Sequence, residues 1–299
     1  MHGPHSHDHF RPGNSRRMAL AFAINVAMLA AAVAGWLAFD SVALLADAGH
    51  VLSDLGSITL GIGAAWAASR PARGRRTFGL KRTEIFAALA NGIALVAVAV
   101  FVFSEAIGRF GESVDVDGAG VAAVGAFGLA GNGVATWVLA RGDRSDINLE
   151  GVLRHSAADA LGSVGALAAG LVILTGGPRE ADAVAALFIG SLILLGSWRL
   201  IRDPLDVLLE SAPRGLDVGE VGDAMCRVPG VREVHDLHIW TVTSGFPALA
   251  AHLRVDPHRD LDEVRIEVEK LLRERFGITH TTLQTMSEPL LDIEDRRDS

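Results

Sequence analysis

Apolar stretches of roughly 20 residues, separated by short polar segments, fill the first two thirds of the chain and stop near Arg202. At a rise of about 1.5 Å per residue, each stretch is long enough to cross a hydrocarbon layer of about 30 Å as an α-helix. The pattern therefore predicts an all-α bundle of six transmembrane helices, at residues 18–39, 41–69, 84–110, 117–140, 148–175 and 181–202.

Beyond the last apolar stretch the period of the pattern changes, and runs of alternating apolar and polar residues appear between two helical patterns. Leu237 and Ile239 share one face of the first alternating run, and this face is assigned to the core. The same alternation turns His238 and His252 to the opposite face and places His235 on the core side. The elements form a small α+β domain in the order α-β-β-α-β, at residues 217–227, 231–242, 247–256, 259–276 and 278–287.

Lysines and arginines are concentrated in alternate loops of the predicted bundle. They precede the first helix, fill the loops after the second and fourth helices, and close the sixth, whereas the other loops carry mainly acidic residues. Because cytoplasmic loops of membrane proteins are enriched in Lys and Arg, this asymmetry predicts that both termini lie in the cytoplasm. The N-terminus lacks the basic region of a signal peptide, so the first helix is expected to be retained.

Composition restricts the possible chemistry. Half of the 299 residues are hydrophobic, the mean hydropathy is +0.33, and the net charge of −8 resides almost entirely in the acidic segment from Asp203 onward. An acidic domain suits the handling of cations and argues against nucleic acid as a partner. Cys226 is the single cysteine, which excludes an intrachain disulfide and a thiolate cluster. Any metal site must therefore use histidine and carboxylate.

Ionisable residues inside two of the predicted helices are the candidate metal ligands. His50 and Asp54 in the second helix are four residues apart, as are His155 and Asp159 in the fifth, so each pair lies on one helix face. Charged groups at membrane depth cost several kcal/mol, so they persist where they are paired or functional. Two imidazoles and two carboxylates in a tetrahedral set suit zinc.

Two alternatives remain open at this point. Each His–Asp pair could be a hydrogen bond within its own helix rather than part of a metal site. Asp47, three residues before His50, could be a second-shell or proton-path group, or a polar residue near a helix end.

Four segments closely resemble the cation diffusion facilitator family: SVALLADAGHVLSDLGSITLG, TFGLKRTEIFAALANG, GVLRHSAADALGSVGALAAG and VHDLHIWTVTSG. The resemblance implies a ferredoxin-like cytoplasmic domain and a homodimeric antiporter that exchanges zinc or a similar cation for protons. It also implies that His at position 50 favours zinc over cadmium. The residues that it implies as ligands of the transport site are His50, Asp54, His155 and Asp159.

Further positions match functional residues of some family members. The resemblance implies possible metal binding by His235 and His252 in the cytoplasmic domain, although Gln284 stands near a position where such members have a histidine. It also implies a charge interlock between Arg82 and Glu210, for which a solvated pair is the alternative. The loop ASRPARGRRTFG has neither histidine nor acid, so the loop metal site of other members is not expected here. The N-terminal histidines at positions 2, 5, 7 and 9 are interpreted as a flexible, non-selective tract.

The sequence thus predicts three parts: a His-rich cytoplasmic tail at 1–17, a transmembrane domain at 18–202 and a cytoplasmic domain at 203–299. It predicts a transporter in the inner membrane that exports zinc by alternating access, with zinc as substrate and without a cofactor. The expected partners are the cation, protons, membrane lipid and a second copy of the chain. The alternatives are export of cadmium, cobalt, iron, manganese or nickel, or a membrane metalloenzyme or metal sensor. Since no general acid–base or nucleophile motif accompanies the ligands, no enzymatic activity is expected.

Overall fold

Helices make up the first two thirds of the computed structural model, which describes residues 12–111, 114–140 and 148–287. Side chains are described at residue 20 and in 22–111, 114–138 and 159–287. The long helices of this region are α1 (Pro12–Phe39), α2 (Val42–Ala68), α3 (Thr83–Gly108), α4 (Gly118–Ala140), α5 (Asn148–Leu174) and α6 (Glu180–Leu208).

Helices α1, α2, α3, α4 and α6 are each long and apolar enough to cross a membrane. In α5 the part with described side chains, Asp159–Leu174, is apolar but shorter. Large apolar side chains point outward along these helices; Leu37 and Leu195, for example, are 70% and 74% exposed. Such exposure is expected where lipid rather than water surrounds a helix. The chain therefore contains a membrane-spanning helical region.

Small residues bring α4 and α5 close together. A Cβ atom at Gly125 of α4 would overlap the backbone of Leu167, and one at Gly170 of α5 would overlap the backbone of Ala122. Close backbone approach through glycine is a common packing mode of membrane helices, since lipid tails provide no hydrophobic driving force between them. The position of α5, and of the two predicted ligands on it, therefore depends on these glycines.

The end of α6 differs from the sequence prediction. The predicted sixth helix ends at Arg202, yet the observed helix continues through Pro204 to Leu208. Proline removes one backbone donor from a helix but keeps a helical φ angle, so the chain can continue past it.

Five further elements follow: α7 (Val218–Cys226), β1 (Val231–Thr243), β2 (Phe246–Val255), α8 (Leu261–Phe276) and β3 (His280–Met286). Each end lies within two residues of the predicted position. The strands form one sheet in the order β1-β2-β3, with β1 and β2 antiparallel and β2 and β3 parallel. The core of this sheet and its helices includes Met225, Leu249, Leu253 and Leu272.

Contacts divide the chain into two compact units. One contains Met1–Ile62 and Ala90–Ile201, and the other contains Gly63–Leu89 and Arg202–Ser299. The second unit therefore includes the end of α2, the start of α3 and the loop between them, in addition to the sheet. Two separate segments of the chain form it.

Candidate metal site

Three of the four predicted ligands meet between α2 and α5. His50, Asp54 and Asp159 each provide one ligand atom, and these atoms lie within 4.8 Å of one another. His50 Nε2 is 2.8 Å from Asp159 Oδ1 and 3.7 Å from Asp54 Oδ2. Asp159 is buried, and the other two side chains are partly buried. Among the described residues, this is the one group of three or more His, Cys, Asp or Glu side chains with metal-binding spacing.

The alternative interpretation, a hydrogen bond within each helix, does not describe His50. Its short contact crosses from α2 to Asp159 of α5, whereas Asp54 of its own helix is farther away. The imidazole thus bridges two helices. The donor atoms of this group therefore come from both helices and not from α2 alone.

His155 lies in α5, one turn before Asp159, but its side chain is outside the described residues. Because α5 is continuous from Asn148 to Leu174, the spacing of four residues places His155 and Asp159 on one face of that helix. The ligand role of His155 therefore stays a prediction.

Asp47 is buried one turn before His50 on α2 and is not a member of the group of three. Its carboxylate faces glycines of neighbouring helices: a Cβ atom at Gly162 of α5 would lie 3.5 Å from Oδ1, and one at Gly128 of α4 would lie 4.0 Å from Oδ2. Asp47 thus lies on the same helix as His50 and Asp54 but outside the group of three.

A cavity of about 160 Å³ adjoins His50 and Asp54. Its remaining wall is mainly apolar and includes Leu95 of α3 and Ile189, Ile193 and Leu200 of α6. An apolar wall strengthens the electrostatic attraction between a cation and the two carboxylates, because it lowers the local dielectric. The cavity gives the donors room on the side of α3 and α6.

The chemistry of the donor set fits zinc, whereas its three described ligand atoms, which lie within 4.8 Å of one another, are not at the spacing of a bound ion. Zinc bonds of about 2.0–2.2 Å to nitrogen and oxygen separate tetrahedral ligand atoms by about 3.3–3.6 Å. The contact between His50 Nε2 and Asp159 Oδ1 would lengthen by about half an ångström to accept the ion. A side-chain rotation suffices for a change of this size.

Buried polar contacts around these helices were not anticipated from sequence. Asp182 at the start of α6 accepts hydrogen bonds from the Ser41 hydroxyl (2.5 Å) and from the backbone N–H of Val42 (2.7 Å). Ser53 of α2 donates to Asn91 of α3 (3.0 Å). A similar contact joins α4 to α5, where Asn132 donates to Ser163 (3.4 Å). Asparagine within an apolar helix is the sequence signal that could have identified two of these.

The predicted face of His235 is wrong. A bulge between His235 and His238, at which Asp236 has φ +50°, changes the alternation of β1, so that His235 is exposed and Val234 packs toward the core. A single inserted residue reverses the face of every residue before it. The register then sets His235 opposite His252, with Gln284 of β3 next to His252.

The loop between α2 and α3 contacts the sheet of the second unit. Arg82 donates to Glu210 Oε1 (3.1 Å), and Glu84 accepts from the Thr243 hydroxyl (2.9 Å). Aromatic contacts complete this junction, where the rings of Phe78 and Phe246 flank His280 and the Lys81 ammonium lies 3.8 Å from the centroid of Phe246.

The N-terminal histidine tract at positions 2–9 lies outside the described residues.

Comparison with known proteins covers nearly the whole chain. Residues 18–209 match the family model of the cation efflux transmembrane domain, and residues 213–287 match that of the cation efflux protein cytoplasmic domain. The zinc transporter ZitB of Shigella flexneri is 36% identical over 292 residues, covering 95% of this chain and 93% of the relative.

Two further relatives are named for a broader range of metal ions. The metal cation efflux system protein CzcD of Cupriavidus metallidurans is 36% identical and covers 95% of this chain and 90% of the relative. A cadmium, cobalt and zinc/H⁺–K⁺ antiporter of Bacillus velezensis is 34% identical, with coverage of 94% and 91%. A solved metal-bound C-terminal domain of a CzcD transporter is 39% identical over 24% of this chain and 99% of that chain, with a TM-score of 0.23. That score is too low to support a conclusion about the fold.

Proposed function

Because this chain belongs to the cation efflux family, also called the cation diffusion facilitator family, we propose that it exports a divalent metal ion, foremost zinc, from the cytoplasm in exchange for protons. The observation that carries the proposal is the meeting of His50, Asp54 and Asp159 between two apolar helices. His155 completes a set of four nitrogen and oxygen donors. Relatives named as zinc transporters and as an antiporter support both the substrate and the exchange.

Zinc and protons compete for the same lone pairs on imidazole and carboxylate, so metal binding releases protons. Histidine suits this coupling because its charge changes near physiological pH. When the donors face the cytoplasm they bind metal and lose protons, and when they face the other side protons displace the metal. Rocking of the helices around a fixed midplane site alternates the two exposures.

The proposed architecture is a bundle of six spans at 18–202 in the inner membrane, with both termini in the cytoplasm. A His-rich tail at 1–17 precedes the bundle, and a ferredoxin-like domain at 203–299 follows it. The excess of Lys and Arg in alternate loops supports this orientation. The label of the family model matched by residues 213–287 designates a dimer domain, which supports a homodimer.

Two further roles are proposed for residues outside the bundle core. His235 and His252 lie opposite each other in the sheet and form a possible second metal site. Arg82, at the end of the α2–α3 loop, and Glu210, just after α6, form a charge interlock. A third role is proposed inside the bundle, where Asp47 would be a proton-path or second-shell group for the transport site.

Other divalent ions are the competing substrates, since relatives are named for cadmium and cobalt as well as zinc. Two imidazoles favour zinc over harder ions such as manganese, which take more oxygen ligands. Transport is proposed rather than catalysis, and zinc is its substrate rather than a cofactor.

Flux measurement in proteoliposomes tests the proposal. Purified protein is reconstituted with a fluorescent zinc indicator inside, and external zinc is added with and without a pH gradient. We expect zinc uptake that rises when the interior is acidic, accompanied by alkalinisation of the lumen. Metal binding without flux would instead indicate a sensor and would contradict the proposal.

A further inference from the structure

Arginines are crowded into the loop between α2 and α3. Arg70, Arg73, Arg75 and Arg76 fall within seven residues, and all four are exposed. Among the described residues, no carboxylate oxygen lies within the 4.0 Å of an ion pair from any of them. By contrast, Arg82, the residue just before α3, is paired with Glu210. The loop therefore carries four positive charges that form no ion pair with any carboxylate in the described part of the chain.

The loop is folded rather than extended. The backbones of Arg73 and Arg76 pair in an isolated antiparallel β-bridge, and the backbone N–H of Gly79 donates to the Arg76 carbonyl at 2.9 Å. Gly79 has φ +72°, and a Cβ atom there would lie 3.3 Å from the Arg70 carbonyl oxygen, so the chain closes on itself at this point. The fold surrounds a cavity of about 390 Å³ lined by Arg70, Pro71, Arg73, Arg76, Gly79 and Leu80.

The position of a tryptophan indicates where this cavity lies relative to the bilayer. Trp66 lies in the last turn of α2, is 63% exposed, and has the Arg70 guanidinium 3.8 Å from its ring centroid. Tryptophan at the end of a membrane helix marks the level of the lipid head groups. Arg70 joins this ring to the cavity, which therefore lies beside the head-group layer.

We propose that this cavity binds the phosphate of an anionic phospholipid head group. Guanidinium groups bind phosphate through paired, charge-assisted hydrogen bonds, and basic pockets next to membrane helices bind anionic head groups. A cavity of about 390 Å³ is within the range of ligand pockets, roughly 300–1,000 Å³. Free phosphate offers the same chemistry, but Trp66 and Arg70 favour a phosphate that is already held at the membrane. The site lacks metal ligands and is separate from the transport function.

Native mass spectrometry of the full chain in neutral detergent tests the site. Phosphatidylglycerol and phosphatidylcholine with identical acyl chains are titrated separately, and bound lipid is counted. We expect preferential retention of phosphatidylglycerol by the wild type. R76Q removes a guanidinium that lines the cavity and should lower this affinity about tenfold or more, as expected for lost charge-assisted hydrogen bonds.

R75Q is the matched control, since Arg75 is the neighbouring residue and does not line the cavity. It removes the same charge and should retain wild-type affinity. Equal losses in R75Q and R76Q, or equal binding of the two lipids by the wild type, would overturn the proposal. Displacement of phosphatidylglycerol by equimolar inorganic phosphate would also overturn it, by identifying a site for soluble phosphate. The assay uses neither metal nor a pH gradient, so its result is independent of the flux experiment.

Discussion

Asp182, at the start of α6, caps the start of α2 through Ser41. Both carboxylate oxygens are used: one accepts from the Ser41 hydroxyl and the other from the backbone N–H of Val42. The first backbone N–H groups of a helix have no partner within it, and here a neighbouring helix accepts from two of them, those of Val42 and Ala43. Since α2 carries His50 and Asp54, this bond fixes the axial position of two proposed ligands relative to α6.

Asp182→Ala should lower the free energy of unfolding by about 1–3 kcal/mol, because it leaves buried donors unsatisfied. Thermal unfolding of the purified protein in detergent measures the loss. Asp115→Ala is the control, since Asp115 pairs with Arg179 but its side chain is 86% exposed. Equal melting temperatures for the two variants would show that the cap does not stabilise α2.

Asp54→Ala and Asp159→Ala should each reduce zinc flux to the level of protein-free vesicles. Either substitution removes both a ligand and half of the negative charge that balances a dication in an apolar surrounding. The proteoliposome assay measures flux, and circular dichroism verifies folding. The Asp115→Ala variant should transport normally. Full flux from a folded ligand variant would refute the assignment of the site.

His50→Asp should broaden selectivity toward cadmium without abolishing transport. The change replaces an imidazole nitrogen by a carboxylate oxygen and keeps the number of donors, so the preference for zinc weakens. Zinc and cadmium fluxes measured on the same vesicle preparation give the ratio. If the ratio equals that of the wild type, His50 does not determine selectivity.

Gly170→Ala should destabilise the bundle, whereas Gly133→Ala should not. A methyl group at Gly170 would overlap the backbone of Ala122, while one at Gly133 of α4 would have no atom within 4 Å from outside its own stretch of helix, among the residues that the structure describes. Overpacking costs about 1–3 kcal/mol, and alanine in an open helical position gains up to about 1 kcal/mol over glycine. Melting temperatures of the two variants should therefore move in opposite directions. A fall of similar size in both would contradict the proposed close packing of α4 and α5.

Local patterns allowed the helices, the family and the ligand spacing to be predicted. Four-residue spacing within one helix is a local property, so His50 and Asp54 could be named as candidate ligands without a structure. The family membership inferred from four segments is confirmed by matches over both parts of the chain.

Contacts between distant residues could not be predicted in this way. Ser41 and Asp182 are 141 residues apart, and neither position carries a pattern that indicates the other. The face of His235 was wrong because it depended on one positive φ angle at Asp236, which no alternation of apolar residues reveals. That His50 and Asp159 share one site was predicted, but the direct hydrogen bond between them was not, since it depends on the placement of two helices side by side.

The junction between the α2–α3 loop and the sheet matters for work on fragments. A tail domain excised at Asp203 would lack Phe78, Lys81 and Glu84, which contact His280, Phe246 and Thr243 in the full chain. Its sheet would present to solvent a polar and aromatic edge that the intact protein covers. Solubility, dimerisation or zinc affinity measured on such a fragment would then describe a domain with one normally covered surface exposed. A fusion of residues 63–89 to the tail would keep that surface covered.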